Sequence, residues 1–285
     1  MIGRNSTPPR RGKQVRKAEN HGVMGRIGTR ARRGRPARKR IRPPVRYLIA
    51  LVSAMTGLVF LSYPVLLNAS YERTVVAVEQ RFLDKSQTIR EETSLFDELY
   101  QFLVSENERL YSTGQSGLVD AFSYETPGVD LSAYGIDDDV IGFIDIPVIG
   151  QRLPIYLGAN KENMRKGAVH LTQTSYPIGG DNTNAVIAAH RGGGPEMFRN
   201  IDRIGVGDTI TITNLWGTLV YQVAETRIIA PTDIDQVKIQ PGRDLVTLIS
   251  CNPLGHNYQR YVVYAERADS GPSGAQGEPG AGDVT

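Results

Sequence analysis

From Tyr47 to Leu67 the chain reads YLIALVSAMTGLVFLSYPVLL, 21 residues without a charge. Wound as a helix, this run reaches about 31 Å, close to the hydrocarbon thickness of a bilayer. It predicts one transmembrane helix over 47–67. Residues 68–112 contain neither Pro nor Gly, and Val75, Val78, Phe82, Leu95, Leu99 and Leu103 recur near helical spacing. One or two amphipathic helices are expected there, with Asp97 and Glu98 on an exposed face. Across 113–139 the texture turns to Gly, Ser, Asp and Pro, with aromatics at Phe122, Tyr124 and Tyr134. This reads as a long loop, a length that is usually functional or disordered. From Val140 the pattern becomes short β runs punctuated by Gly, Pro, Asn and Asp. Strands are expected near 140–147, 152–156, 167–171, 183–190, 208–214, 217–229, 244–251 and 259–267. Asn160–Lys166 and Pro195–Ile201 read as single helical turns or short helices. Eight strands over about 128 residues suit an all-β barrel with a core of its own. The Gly/Pro/Ser-rich tail, 268–285, is expected to be disordered.

Charge sharpens this division. The whole chain of 285 residues carries 33 Lys+Arg and 30 Asp+Glu. Residues 1–46 hold 16 of the bases and a single acid, Glu19, so the arm is +15 and the remainder −12. The Arg-dense flank of the apolar run places the arm in the cytoplasm by the positive-inside rule, and everything after about residue 68 outside. A cleaved signal peptide is the rival reading, with a small-residue site near Ala69. The apolar run is longer than a signal core of about 7–15 residues, which favours a retained anchor. Gly, Pro and Arg with few apolar residues cannot make a core, so the arm is expected to be disordered. No aromatic interleaves its arginines before Tyr47, so nucleic acid is not an expected partner. Topology and attraction to anionic headgroups are.

One cysteine excludes a disulfide within the chain and any Cys-based zinc cluster. That residue, Cys251, ends the apolar run DLVTLISC and is followed by Asn-Pro-Leu-Gly. A free cysteine is commonly a small buried hydrophobe. Outside the cell an exposed, unpaired thiol is an oxidation liability, which suggests one that is used. A thiol near its reference pKa of about 8.5 is mostly protonated at neutral pH, so it needs a base or a cation beside it. His190 also ends an apolar run, AVIAAH, 61 residues before Cys251, and adjacent strands could bring the two together. His21 lies in the arm, His170 begins a turn and reads as structural, and His256 sits on a loop without a rigid seat. Arg260 opens the next strand, nine residues after Cys251, where a hairpin returns its guanidinium beside the thiol. A fixed cation there would stabilise a thiolate and a tetrahedral oxyanion. No zinc-like ligand spacing appears, and Gly192-Gly193-Gly194 lacks the Lys-Ser/Thr of a phosphate loop. Neither metal nor cofactor is expected.

These residues resemble a known family. Thr247-Leu248-Ile249-Ser250-Cys251-Asn252-Pro253, with Gly255, Asn257 and Arg260, is similar to the sortase signature TLxTCxPxGxNxxR, and Ala189-His190-Arg191-Gly192 to the histidine motif of the same enzymes. IGFIDIPVIGQRLPIYLGA and HLTQTSYPIGG look especially like class C sortases, the pilin polymerases of Gram-positive bacteria. The resemblance covers about residues 111–267. It implies a closed eight-stranded barrel and a catalytic set of His190, Cys251 and Arg260. It further implies a lid loop across the cleft, for which Leu118-Val119-Asp120-Ala121-Phe122-Ser123 is the match. Asp120 is then expected near the cysteine or arginine and Phe122 over the thiol. Ala121 stands where the family usually has proline, and Ser250 where it has threonine.

What the resemblance implies for activity is cleavage of an LPxTG-like sorting signal between Thr and Gly. Cys251 attacks, Arg260 bonds the substrate or oxyanion, and His190 protonates the leaving amine. A second amine then captures the thioacyl enzyme. In pilus assembly that amine is a lysine of another pilin; the alternative acceptor is cell-wall peptide. A papain-like peptidase would place its cysteine before its histidine and beside a helix. An L,D-transpeptidase would carry His and Cys in one short stretch. A reading of another class, an anchored surface-binding β domain without catalysis, predicts a dispensable Cys251.

Overall fold

The computed structural model describes residues 43–91, 93–120, 122–123, 128–136, 138–192 and 194–268. The expectations for the basic arm as far as residue 42, for the tail from 269 onward, and for Ala121 and Tyr124 lie outside these residues. The chain divides into two units, Met1–Val52 and Ser53–Thr285. Of the first, only residues 43–52 are described, as the start of a helix; the second holds the fold.

The β-rich stretch forms eight strands: β1 (Val140–Ile146), β2 (Gln151–Leu157), β3 (Ala168–His170), β4 (Thr183–Ala188), β5 (Thr209–Asn214), β6 (Thr218–Ile229), β7 (Asp244–Asn252) and β8 (Gln259–Arg267). They close into a barrel in the order β1-β2-β3-β4-β7-β8-β6-β5. β5 alternates between buried and more exposed positions, as its sequence does, whereas β4 is buried at every position. The difference follows from location: a strand with one wet face must alternate, and one covered on both faces need not.

One pairing decides where the chemistry sits. β4 and β7 run parallel, with every partner 61 residues apart from Thr183↔Asp244 to Ala188↔Ile249. Parallel neighbours deliver their C-terminal ends to the same rim. The chain leaving β4 therefore emerges beside the end of β7, and β7 turns back antiparallel into β8.

Before the barrel, α1 (Pro43–Glu91) and α2 (Thr93–Ser112) are helical. α1 continues through Pro64 and beyond the apolar run, so the helix expected over 47–67 and the first of those expected after it are one. Its two parts bury different amounts. Phe60 and Leu61 are each 76% exposed, while Val75, Val78 and Phe82 are at most 7% exposed. By length and composition this helix is apolar enough to cross a membrane. Phe82 meets Phe143 of β1 edge-on at 5.5 Å, and Arg152 of β2 pairs with Glu79. Burial of the apolar side chains dominates this contact, at about 1.5–3 kcal/mol each, since a surface ion pair contributes about 0–1 kcal/mol. On α2, Leu99 and Leu103 are fully buried but Leu95 is not. Phe96 and Tyr100 instead meet Trp216, at 5.5 and 5.3 Å.

Two local expectations change. The segment 113–139 contains a 3₁₀ turn, Leu131–Tyr134, started by Asp130, whose side chain accepts from the Ser132 amide. Pro195–Ile201 does not form a helix; the regular turn comes later, at Ile201–Arg203. The reason is where its amides go. Phe198 N–H donates back to the His190 carbonyl at 3.0 Å and Met197 N–H to Pro195, with both side chains buried. The short helix expected near Asn160 is present as α3 (Lys161–Lys166), capped by the Asn160 side chain.

Candidate active site

Cys251 lies on β7 directly opposite Arg260 of β8. The thiol is half-buried, and the Arg260 Nη1 is 4.0 Å from its sulfur. Nη1 also donates to the carbonyls of Asn257 and Gln259, at 2.8 and 2.9 Å, which fixes the guanidinium plane. Its other edge is taken by the loop: Nε and Nη2 donate to the two Asp120 carboxylate oxygens at 2.8 and 2.7 Å. This is the two-pronged geometry in which a guanidinium binds a carboxylate best. Only 5% of the arginine side chain and 19% of the aspartate remain exposed.

The loop is held at both ends of this contact. Gln115, buried, donates to the Gln173 carbonyl and accepts from the Ile239 amide. Leu118 is buried in the core, and Ser123 N–H closes a turn onto the Asp120 carbonyl. Phe122 rests with its ring 4.9 Å from the Arg260 guanidinium carbon and 6.1 Å from the His190 ring. The ring thus sits against the arginine and the histidine, where the cationic plane offers an attractive surface to an aromatic face.

His190 stands two residues past the last residue of β4. It lines an open groove of about 490 Å³ together with Arg191, Gly192, Cys251, Gly255, His256 and Asn257. The parallel register carries His190 alongside Cys251, and side chains reinforce it on either flank. Ser250 Oγ donates to the Ala189 carbonyl at 2.6 Å, and Arg191 Nη1 donates to Asn252 Oδ1 at 2.6 Å. Arg191 is itself buried, paired with Asp202 at 2.9 Å and 5.6 Å from the Tyr261 ring. Sequence reasoning passed over Arg191, Asn252 and Asp202. No signal in the sequence marks the Arg191–Asn252 bond, since it depends on the parallel register of β4 and β7.

The electrostatics of the thiol set burial against the cation beside it. Burial pushes the Cys251 thiol up; Arg260 pulls it down and Asp120 pushes it up again. Burial pushes His190 down. Both shifts favour the uncharged form, burial being the largest cause for the thiol and the cause for the imidazole. The other histidines separate cleanly. His170 is fully buried, stacked on Tyr176, with Nε2 at 3.2 and 3.0 Å from the carbonyls of Thr174 and Ser175. Two carbonyl partners require the proton on Nε2, and burial lowers this imidazole to about 4. It is a structural histidine. His256 is exposed on the β7–β8 loop, beside Tyr258, and borders the groove.

Known proteins are similar to this chain in sequence and fold. A family model described as Sortase domain matches residues 144–268. The structure of sortase C1 from Streptococcus agalactiae is 31% identical, covers 61% of this chain and 89% of that one, and superposes with a TM-score of 0.56. A pilus-related sortase C of Group B Streptococcus is 32% identical over 60% of this chain and 91% of its own, with a TM-score of 0.51. Sortase D of Bacillus subtilis is 27% identical over 129 residues, which is 44% of this chain and 63% of that protein. The chain therefore spans under two thirds of that curated relative. A barrel of this closure, matched to these structures over most of their length, leaves one assignment: the chain belongs to the sortase family.

Proposed function

We propose that this protein is a membrane-anchored cysteine transpeptidase that cleaves an LPxTG-like sorting signal between Thr and Gly and joins the Thr carbonyl to an amine. The observation that carries this is Cys251 sharing one groove with His190 while lying across from Arg260. Its context supports the reading: the chain's family, and structural neighbours that are class C and pilus-related enzymes.

In this reading a neutral thiol and a neutral imidazole hold the one proton the reaction needs. As the Cys251 sulfur attacks the Thr carbonyl carbon, its proton passes to His190. Arg260, released from Asp120, turns its freed donors to the oxyanion. His190 then gives that proton to the departing glycine amine, and the C–N bond breaks to leave a thioester on Cys251. An incoming amine attacks the thioester, His190 takes a proton from it, and the sulfur leaves as thiol. One amide is exchanged for another, so no nucleotide is consumed. The class C neighbours favour a lysine of a pilin subunit as the acceptor; cell-wall peptide amine is the alternative. The exposed apolar run Tyr47–Leu67 supplies the anchor, with the barrel on the extracellular side.

Incubating the full chain with a sorting-signal peptide and a lysine-containing peptide tests this. A ligated product carrying an isopeptide bond, together with a released glycine-led fragment, is expected. Recovery of both peptides unchanged would overturn the assignment, and so would their ligation by Cys251→Ala.

A further inference from the structure

His190 stands between two hollows. One is the groove it shares with Cys251. The other, of about 430 Å³, is lined by Arg165, His190, Gly192, Gly194, Pro195 and Met197. A transpeptidase handles two amines in turn, both needing His190 and neither needing the volume occupied by the acyl donor. The second hollow has that access.

Its one charged side chain is Arg165. The residue is presented on a firmly seated platform: α3 is capped by Asn160, Met164 is fully buried, and the Asn163 side chain donates to the Leu157 carbonyl at 2.9 Å. Neighbouring Lys166 is satisfied by Glu162 at 2.7 Å. Arg165 is exposed and forms no close ion pair or hydrogen bond among the described residues; Glu162, bonded to Lys166, is a carboxylate that feels its charge. The floor beneath it is open, since a Cβ added at Gly194 meets nothing within 4 Å.

A cation facing this space with no carboxylate bonded to it disfavours an approaching ammonium and rewards an anion. Nucleophilic attack needs the neutral amine, so repulsion of the charged form by itself does no harm to chemistry. What it selects is an amine that brings its own countercharge. Resting on the transpeptidase reading, we propose that the Arg165 hollow is the acceptor subsite and that Arg165 recognises a carboxylate carried beside the acceptor amine. Arg165 is a specificity-determining residue here and takes no part in cleaving the donor. The carboxylate comes from an acidic side chain next to the acceptor lysine or from a free peptide α-carboxylate; the guanidinium reads both alike.

The test uses the full chain, a sorting-signal donor and two matched acceptor pairs. The first pair is a terminally blocked peptide with Lys beside Glu, and its Gln counterpart. The second is Nα-acetyl-lysine and its amide. The wild type is expected to show a lower KM for the carboxylate member of at least one pair, by about two- to fivefold, the size of an exposed ion pair. The pair that responds identifies the source. Arg165→Gln removes the preference and Arg165→Glu reverses it, with donor consumption in the absence of amine unchanged in both. Donor consumption with indifferent acceptor use, or a preference that survives in Arg165→Gln, overturns the subsite while leaving the transpeptidase reading intact. A donor that is never consumed overturns both.

Discussion

Arg191 donates to the Asn252 side-chain oxygen at 2.6 Å, and these residues directly follow His190 and Cys251. A buried, charge-assisted bond thus ties the end of β4 to the end of β7 at the point where a proton is to cross. The tie is braced from behind by Asp202 and Tyr261, so the spacing of thiol and imidazole is set by the barrel and not by the mobile side chains themselves.

Asn252→Ala removes the acceptor while leaving Arg191 buried. A loss of about 1.5–3 kcal/mol is expected, the usual worth of a hydrogen bond to a charged group, read as a lower urea midpoint. Thioacyl formation slows with it. Asn252→Asp keeps an acceptor oxygen and recovers most of both. Unchanged rates in a destabilised Asn252→Ala protein would show that the tie has no bearing on the dyad.

Asp120 restrains both Arg260 and Cys251. Its charge raises the thiol pKa, and its carboxylate occupies the guanidinium that lowers it. Asp120→Ala removes the first influence and frees the second, so the thiol pKa falls. At neutral pH the thiolate fraction rises, and a small alkylating reagent labels Cys251 several-fold faster. The labelling profile against pH moves to lower pH. A profile that stays in place would remove the loop from any role in controlling the thiol.

The barrel and its chemistry were legible in the sequence to different depths. All eight strands could be placed because each combines β-type runs with Gly, Pro, Asn or Asp at its ends, as at Asp208 and Asn214. Equal spacing of the two apolar strands ending near His190 and Cys251 foretold their adjacency. The continuity of α1 was not readable, since an apolar run and an amphipathic stripe share helical spacing and only tertiary burial tells them apart. Nor was the packing of Phe122 against Arg260, which depends on where that guanidinium points. The direction in which burial moves the thiol and the imidazole was not readable either, since it depends on the packing around them.

His170 gives a pH signature separate from the active site. Its folded pKa, about 4, lies below the ordinary imidazole value of 6.5, so the fold favours the neutral ring. That contribution is fully present above 6.5 and is lost as the pH falls from there through about 4. Relative to His170→Gln, which does not titrate, the wild type is expected to lose at most about 3 kcal/mol across this window. Parallel stability curves for the two proteins, followed by chemical denaturation, would contradict a neutral buried imidazole.

The central claim is that the Cys251 sulfur takes up the acyl group. Intact-mass spectrometry of the full chain, quenched in acid after mixing with a sorting-signal peptide and no amine, tests it most directly. The account predicts an adduct equal to the peptide through its Thr, mapped to Cys251, discharged by added amine and absent from Cys251→Ala. A chain that releases the glycine-led fragment with no mass on Cys251, or with the adduct on another residue, contradicts it.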